Sequence, residues 1–119
     1  MDFKIRRIVP VIESSRFDET KQFYGEFPGL ELAMDMGWVL NNISKENPTA
    51  QVIIVKSENG PVNPGVSIST GVPDLDTVYD RTVSMNYQIT YPKTREPWGV
   101  ERFFVKDPNG VTINLMHHI

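Results

Sequence analysis

The stretch that decides the fold is Phe103-Phe104-Val105-Lys106-Asp107-Pro108-Asn109-Gly110-Val111-Thr112-Ile113-Asn114-Leu115-Met116-His117-His118-Ile119. It reads as two strands joined by a tight turn. Proline pre-sets φ at the second turn position, Asn and Gly tolerate positive φ, and both flanking runs alternate with a period of two. Strand parity then sorts the second arm. Val111, Ile113 and Leu115 form an apolar set suited to pack under a helix, which places Thr112, Asn114 and Met116 on the opposite face.

Working outward, the same kind of unit occurs twice. An apolar strand at 5–12 leads to Ser15-Arg16-Phe17-Asp18, a helix start of the capping-box type, and Phe17, Thr20, Phe23, Tyr24 and Phe27 recur at helical spacing. Pro28-Gly29 ends that helix, and strands are expected at 30–36, 38–42 and 51–56. After the Gly/Pro/Asn-rich linker 59–65 the order restarts. A strand at 66–72 leads to Pro73-Asp74-Leu75-Asp76, whose acidic residues suit the positive end of a helix. Leu75, Val78, Tyr79 and Val83 supply the apolar helix face, and strands follow at 87–91, 101–106 and 111–117. Ile8 to Val66 and Phe17 to Leu75 are each 58 apart, while Trp38 to Trp98, Ile53 to Ile113 and Val55 to Leu115 are each 60 apart. The expectation is an α+β domain over 1–119, made of βαβββ modules at 1–58 and 66–119 whose mixed, curved sheets enclose a cavity.

Bulk properties narrow the function classes. A chain of 119 residues with 39% hydrophobic content fits one folded domain rather than a disordered or fibrous chain. A net charge of −3 with no basic stripe argues against nucleic acid as a partner. No apolar run approaches the roughly 20 residues that cross a bilayer. The absence of cysteine removes disulfides, thiolate metal sites and cysteine nucleophiles. With no secretion signal in view, a cytoplasmic location is the default expectation.

Two motifs carry a resemblance. Thr20-x-x-Phe23-Tyr24-x-x-Phe27-x-Gly29-Leu30-Glu31-Leu32 and Glu96-Pro97-Trp98-Gly99-x-x-x-Phe103-x-x-x-Asp107-Pro108-x-Gly110 resemble the first helix and the closing segment of the vicinal-oxygen-chelate superfamily, which holds glyoxalases, extradiol dioxygenases and bleomycin-resistance proteins. In its metal-using members, ligands lie on the first and last strands of each module. By motif spacing those slots fall at Val9, Ile54, Ser67 and Asn114. Two aliphatic side chains and two neutral oxygens do not make a site for a catalytic divalent ion, so no metal or other cofactor is expected.

The resemblance therefore implies a metal-independent binding protein of the bleomycin-resistance type, a homodimer that sequesters a small, partly apolar molecule. Trp38, Ile54, Ser67, Trp98, Arg102, Asn114 and Met116 are the candidate ligand-binding residues. No catalytic residue is assigned, and the reading leans away from an enzyme. Two alternatives stay open: a glyoxalase-like lyase or dioxygenase with displaced ligands such as Glu13, Glu101 or His118, and a structural or regulatory subunit without ligand.

Overall fold

The computed structural model describes residues 5–26, 30–58 and 65–119. Contacts divide the chain into two compact units, Met1–Val62 and Asn63–Ile119. The first contains β1 (Val11–Ser14), α1 (Phe17–Glu26), β2 (Glu31–Asp35), β3 (Val39–Ile43) and β4 (Gln51–Lys56). The second contains β5 (Ser67–Gly71), α2 (Leu75–Ser84), β6 (Ile89–Arg95), β7 (Val100–Lys106) and β8 (Thr112–His118). Each unit is thus a βαβββ module. Its four-stranded mixed sheet has the order β1-β4-β3-β2 or β5-β8-β7-β6, with the first and last strands parallel and the other pairs antiparallel.

In the first unit the helix is fixed to the sheet by a buried hydroxyl pair. Ser14 Oγ and Thr20 Oγ1 lie 2.9 Å apart, and Ser14 Oγ also accepts from the Arg16 amide at 3.0 Å. The Ser14 hydroxyl thus braces the chain just ahead of α1, whose first residue is Phe17. Thr20, Phe23 and Tyr24 are the buried stripe of α1, three and four residues apart as an amphipathic helix requires. Phe27 and the helix stop at Pro28-Gly29 lie outside the described residues, as do residues 59–64 of the linker. The strand expected at 5–12 is confined to Val11–Ser14. Ahead of Val11, the Pro10 carbonyl still accepts from the Ile53 amide at 3.0 Å.

Ser14 and Ile12 share a face because side chains two apart on a strand point the same way. Ile12 is level with Ile54, and Ile54 with Leu40, so these three fully buried side chains form the core beneath α1. Asn42 lies in the same layer, level with Val52. It is fully buried, and neither Oδ1 nor Nδ2 has a hydrogen-bond partner. An unmatched buried amide costs about 1–3 kcal/mol. Asn42→Leu, close in volume and apolar, is expected to stabilise the protein by about 1–2 kcal/mol. The check is a higher urea midpoint at unchanged slope; a lower midpoint would show that the amide is satisfied in solution.

The second unit repeats the plan. Asp74 caps α2, accepting from the Thr77 amide at 3.2 Å and the Thr77 hydroxyl at 2.6 Å, and these bonds hold its carboxyl below the ordinary value of 3.8. Leu75 is fully buried, and Tyr79 meets Phe103 edge-on at 5.0 Å between ring centroids. Phe103, Val105, Val111, Ile113 and Leu115 are all buried, so the alternation read from the closing segment corresponds to the side covered by α2. Val83, expected on the apolar helix face, is 56% exposed. Thr82 is buried in its place, its hydroxyl donating to the Val78 carbonyl at 2.7 Å.

The turn joining β7 to β8 is organised by Asp107. Its Oδ1 accepts from the amides of Asn109 and Val111, both at 2.8 Å, and its Oδ2 accepts from the Asn109 amide side chain at 3.2 Å. Gly110 takes φ 82°, the positive-φ position the sequence provides for.

Candidate functional site

The face of the second sheet turned away from α2 holds the most distinctive side-chain cluster. Phe104 is level with Asn114 and Arg102 with Met116, and the parallel pairing sets Ser69 beside Asn114 and Ser67 beside Thr112. On the other side of β7, Tyr91 is level with Phe104. Register shifts on both sides of Tyr91 bring its ring to 4.8 Å from that of Phe104. Pro92 is tolerated in β6 because this is an edge strand.

The β6–β7 turn completes the cluster. Glu96 and Val100 close it through a 2.8 Å backbone bond, and Gly99 adopts φ 89°, which leaves Trp98 at the tip, 63% exposed. The Arg102 guanidinium lies 4.9 Å from the Phe104 ring centre, 5.2 Å from that of Trp98 and 5.6 Å from that of Tyr91. Glu96 ties the group together. One carboxylate oxygen accepts from Arg102 Nη2 at 3.0 Å and the other from the Tyr91 hydroxyl at 2.9 Å. Three ring faces and one carboxylate thus surround the guanidinium, a strong setting for a partly desolvated cation.

Two polar atoms on this face are shielded from solvent and unpaired: Arg102 Nε and Asn114 Oδ1. The amide nitrogen of Asn114 donates to Ser69 Oγ at 3.2 Å. Met116 is half-buried beside them, while Ser67 is exposed at the outer edge of β5. Four of the expected binding residues, Trp98, Arg102, Asn114 and Met116, therefore share one sheet face or the turn bordering it. Tyr91, Glu96 and Phe104 belong to the same cluster. Counting back from the Pro97-Gly99 turn could have suggested them, but the irregular β6–β7 register hides which residues meet.

Ile54 is a correction. Its side chain was expected on the open face of β4, yet it is fully buried and level with Ile12 under α1. A spacing of 60 between the modules pairs Ile54 with Asn114, whose side chain lies on the opposite side of its own sheet. An offset wrong by one residue exchanges the two faces. Ile53 and Val55, both half-buried, occupy the face that Asn114 occupies in its own module. Trp38 lies at the equivalent hairpin but directly after the positive-φ Gly37, whereas Trp98 directly precedes Gly99. Trp38 is 57% exposed.

The first unit also has an open cleft of about 380 Å³ lined by Ser15, Phe17, Asp18, Lys21, Asp35, Gly37 and Lys56. Its two closest charges satisfy each other. Lys21 Nζ meets Asp35 Oδ2 at 2.7 Å, a bond that raises the lysine pKa and lowers that of the aspartate.

The family slots do not offer a metal what it needs. Val9 and Ile54 have no donor atoms, Ser67 has a neutral hydroxyl, and Asn114 has one free neutral oxygen. Displaced ligands do not replace them. Glu101 is level with His117 on the α2 side and bonds it at 3.1 Å, whereas His118 points to the other side of the sheet. Among the described residues no three His, Asp, Glu or Cys side chains gather around a common point. Likewise, no helix among them is long and apolar enough to cross a membrane.

Solved structures share this fold at low identity. A bleomycin-binding protein in complex with bleomycin superposes with a TM-score of 0.77 at 18% identity, covering 97% of this chain and 100% of the other. A glyoxalase family protein from Bacillus anthracis gives 0.81 at 17%, covering 100% and 99%. Lactoylglutathione lyase from Agrobacterium tumefaciens gives 0.78 at 13%, covering 96% and 95%. No curated protein sequence matches the chain. A family model described as Glyoxalase/Bleomycin resistance protein/Dioxygenase superfamily matches residues 7–115, nearly the whole chain. With its two βαβββ modules and the closing turn at Asp107–Gly110, the chain belongs to the glyoxalase/bleomycin resistance protein/dioxygenase superfamily.

Proposed function

We propose that this protein binds and sequesters a small, partly apolar molecule without a metal ion and without chemical conversion. The observation behind this reading is the contrast between what the family positions lack and what surrounds them. Val9, Ile54, Ser67 and Asn114 provide no imidazole or carboxylate, while the open face of the second sheet offers exposed Trp98, the rings of Tyr91 and Phe104, the thioether of Met116 and a few fixed polar groups. Aromatic and apolar walls with isolated polar atoms suit noncovalent recognition of a small organic ligand. The bleomycin-binding relative, a protein of the same fold with a bound small molecule, supports the same reading.

Isothermal titration of untagged protein with Ni²⁺, Zn²⁺, Mn²⁺ and Fe²⁺ tests it. The expected result is no stoichiometric binding at micromolar metal. Tight one-to-one binding of any of these ions, lost in Asn114→Leu, would overturn the metal-free reading and favour the glyoxalase or dioxygenase alternative.

A further inference from the structure

We propose that Asn109-Gly110, in the turn joining β7 to β8, is a latent deamidation site that Asp107 holds shut in the folded protein, and that opening of the turn converts Asn109 irreversibly to aspartate or isoaspartate. The inference starts from the pair itself. Glycine has no Cβ to shield its amide nitrogen, so an asparagine followed by glycine exposes its side-chain carbonyl carbon to attack by the next backbone nitrogen. Water and hydroxide are the only co-reactants. Hydroxide removes the Gly110 amide proton, the nitrogen bonds to Asn109 Cγ, and the Cγ–Nδ2 bond breaks as Nδ2 takes a proton from water and leaves as ammonia. Water then opens the cyclic imide, at Cγ to give aspartate or at the backbone carbonyl carbon to give isoaspartate.

In the folded turn Asp107 occupies both reacting groups. The nucleophile, the Gly110 N–H, donates to the Asp107 backbone carbonyl at 3.2 Å, and the leaving group, Asn109 Nδ2, donates to Asp107 Oδ2 at 3.2 Å. The Asn109 amide between them donates to Oδ1 at 2.8 Å. Asn109 is 7% exposed and Asp107 5%, so hydroxide has little access to the proton it must remove, and the carboxylate opposes the anionic nitrogen that would form. Cyclisation requires the Asn109 side chain to leave Oδ2 and the Gly110 amide to leave its carbonyl, so it passes through an opened turn. The product does not fit back. Aspartate at 109 puts a second carboxylate where Nδ2 gave Asp107 a hydrogen bond, and isoaspartate adds a methylene to the backbone of a turn set by Gly110 at φ 82° and closed by the Asp107 to Val111 backbone bond at 2.9 Å. Each opening that reacts is therefore one-way, and the turn records it.

Peptide mapping by mass spectrometry of the full chain, held at mildly alkaline pH, tests this. Asn109 is scored by the mass gained when the amide becomes an acid, and isoaspartate by methyltransferase labelling. The chain's other Asn-Gly pair, Asn59-Gly60, lies outside the described residues and is scored as a separate peptide. Asn109 is expected to deamidate at least about tenfold more slowly in the folded chain than in the same chain unfolded in urea, because only the opened fraction reacts. Asp107→Ala, shown to be folded by its urea transition, should lift the folded rate to within about threefold of the urea rate. Phe103→Ala, checked for folding in the same way, empties the core under α2 but leaves the Asp107 bonds in place, and should stay slow. If folded and unfolded wild type react alike, or if Phe103→Ala speeds the reaction as much as Asp107→Ala does, the proposal is overturned. Where Asp107→Ala does not fold, Asp107→Asn takes its place. It keeps one acceptor oxygen and should react at an intermediate rate, and a rate equal to that of the wild type would overturn the proposal.

Discussion

Phe103→Ala is expected to destabilise the protein by about 3–5 kcal/mol, the usual cost of emptying a fully buried phenylalanine site. Phe103 is wholly buried on the α2 side of the second sheet, edge-on to Tyr79 and level with Leu115. Its removal takes away a ring from each contact at once, and neighbours fixed in the β7–β8 ladder cannot move in to fill the space. Domains of this size have a total stability of roughly 5–15 kcal/mol, so the loss is a large fraction of the whole. Urea unfolding at constant slope measures it. Phe104→Ala is the matched control, because adjacent residues on a strand face opposite sides and Phe104 lies half-buried on the open face. A loss under about 1 kcal/mol for Phe103→Ala would mean that the core beneath α2 is not packed as described.

Asp107→Ala is expected to cost about 2–4 kcal/mol through a different mechanism. The carboxylate satisfies the Asn109 and Val111 amides at 2.8 Å each, in a turn where Asp107 and Asn109 are both buried. Alanine leaves those two N–H groups without an acceptor and out of easy reach of water. Hydrogen bonds to a charged acceptor are worth about 1.5–3 kcal/mol, and the orphaned donors add their own desolvation. Asp107→Asn keeps one acceptor oxygen and should recover about half of the loss. If the alanine and asparagine variants are equally stable, the side chain is not what holds the turn.

Much of this fold is legible in the sequence because its strongest signals are local. The run Gln51–Lys56 is β-branched and uninterrupted, the Asp107–Gly110 turn has its chemistry in four consecutive residues, and Asp74 announces α2 three residues ahead of the Thr77 amide it caps. The errors arise where the answer depends on register between distant strands. Ile54 was placed on the wrong face because the module spacing was one residue out, and on a strand one residue is the difference between core and surface. Arg102 stands among the candidates, but the sequence does not show what it packs against. Its position among Tyr91, Trp98 and Phe104 comes from the two register shifts in the β6–β7 pair and the positive φ of Gly99, neither of which leaves a mark in composition or period. Val83 and Thr82 exchanged roles for a related reason. Thr82 offsets the burial of its hydroxyl by donating to the Val78 carbonyl one turn back, which hydrophobicity alone does not anticipate.

The chain keeps the superfamily's fold, and the function proposed for it is small-molecule binding without a metal at the family's ligand positions. A crystal structure of the protein soaked with Ni²⁺ and Mn²⁺, with anomalous difference maps over the open face of the second sheet, tests this most directly. The account predicts no anomalous peak bonded to Ser67, Asn114 or their neighbours, and any retained density against Trp98 and Phe104 should be that of a flat organic molecule. An anomalous peak there with three or more protein ligands would contradict it.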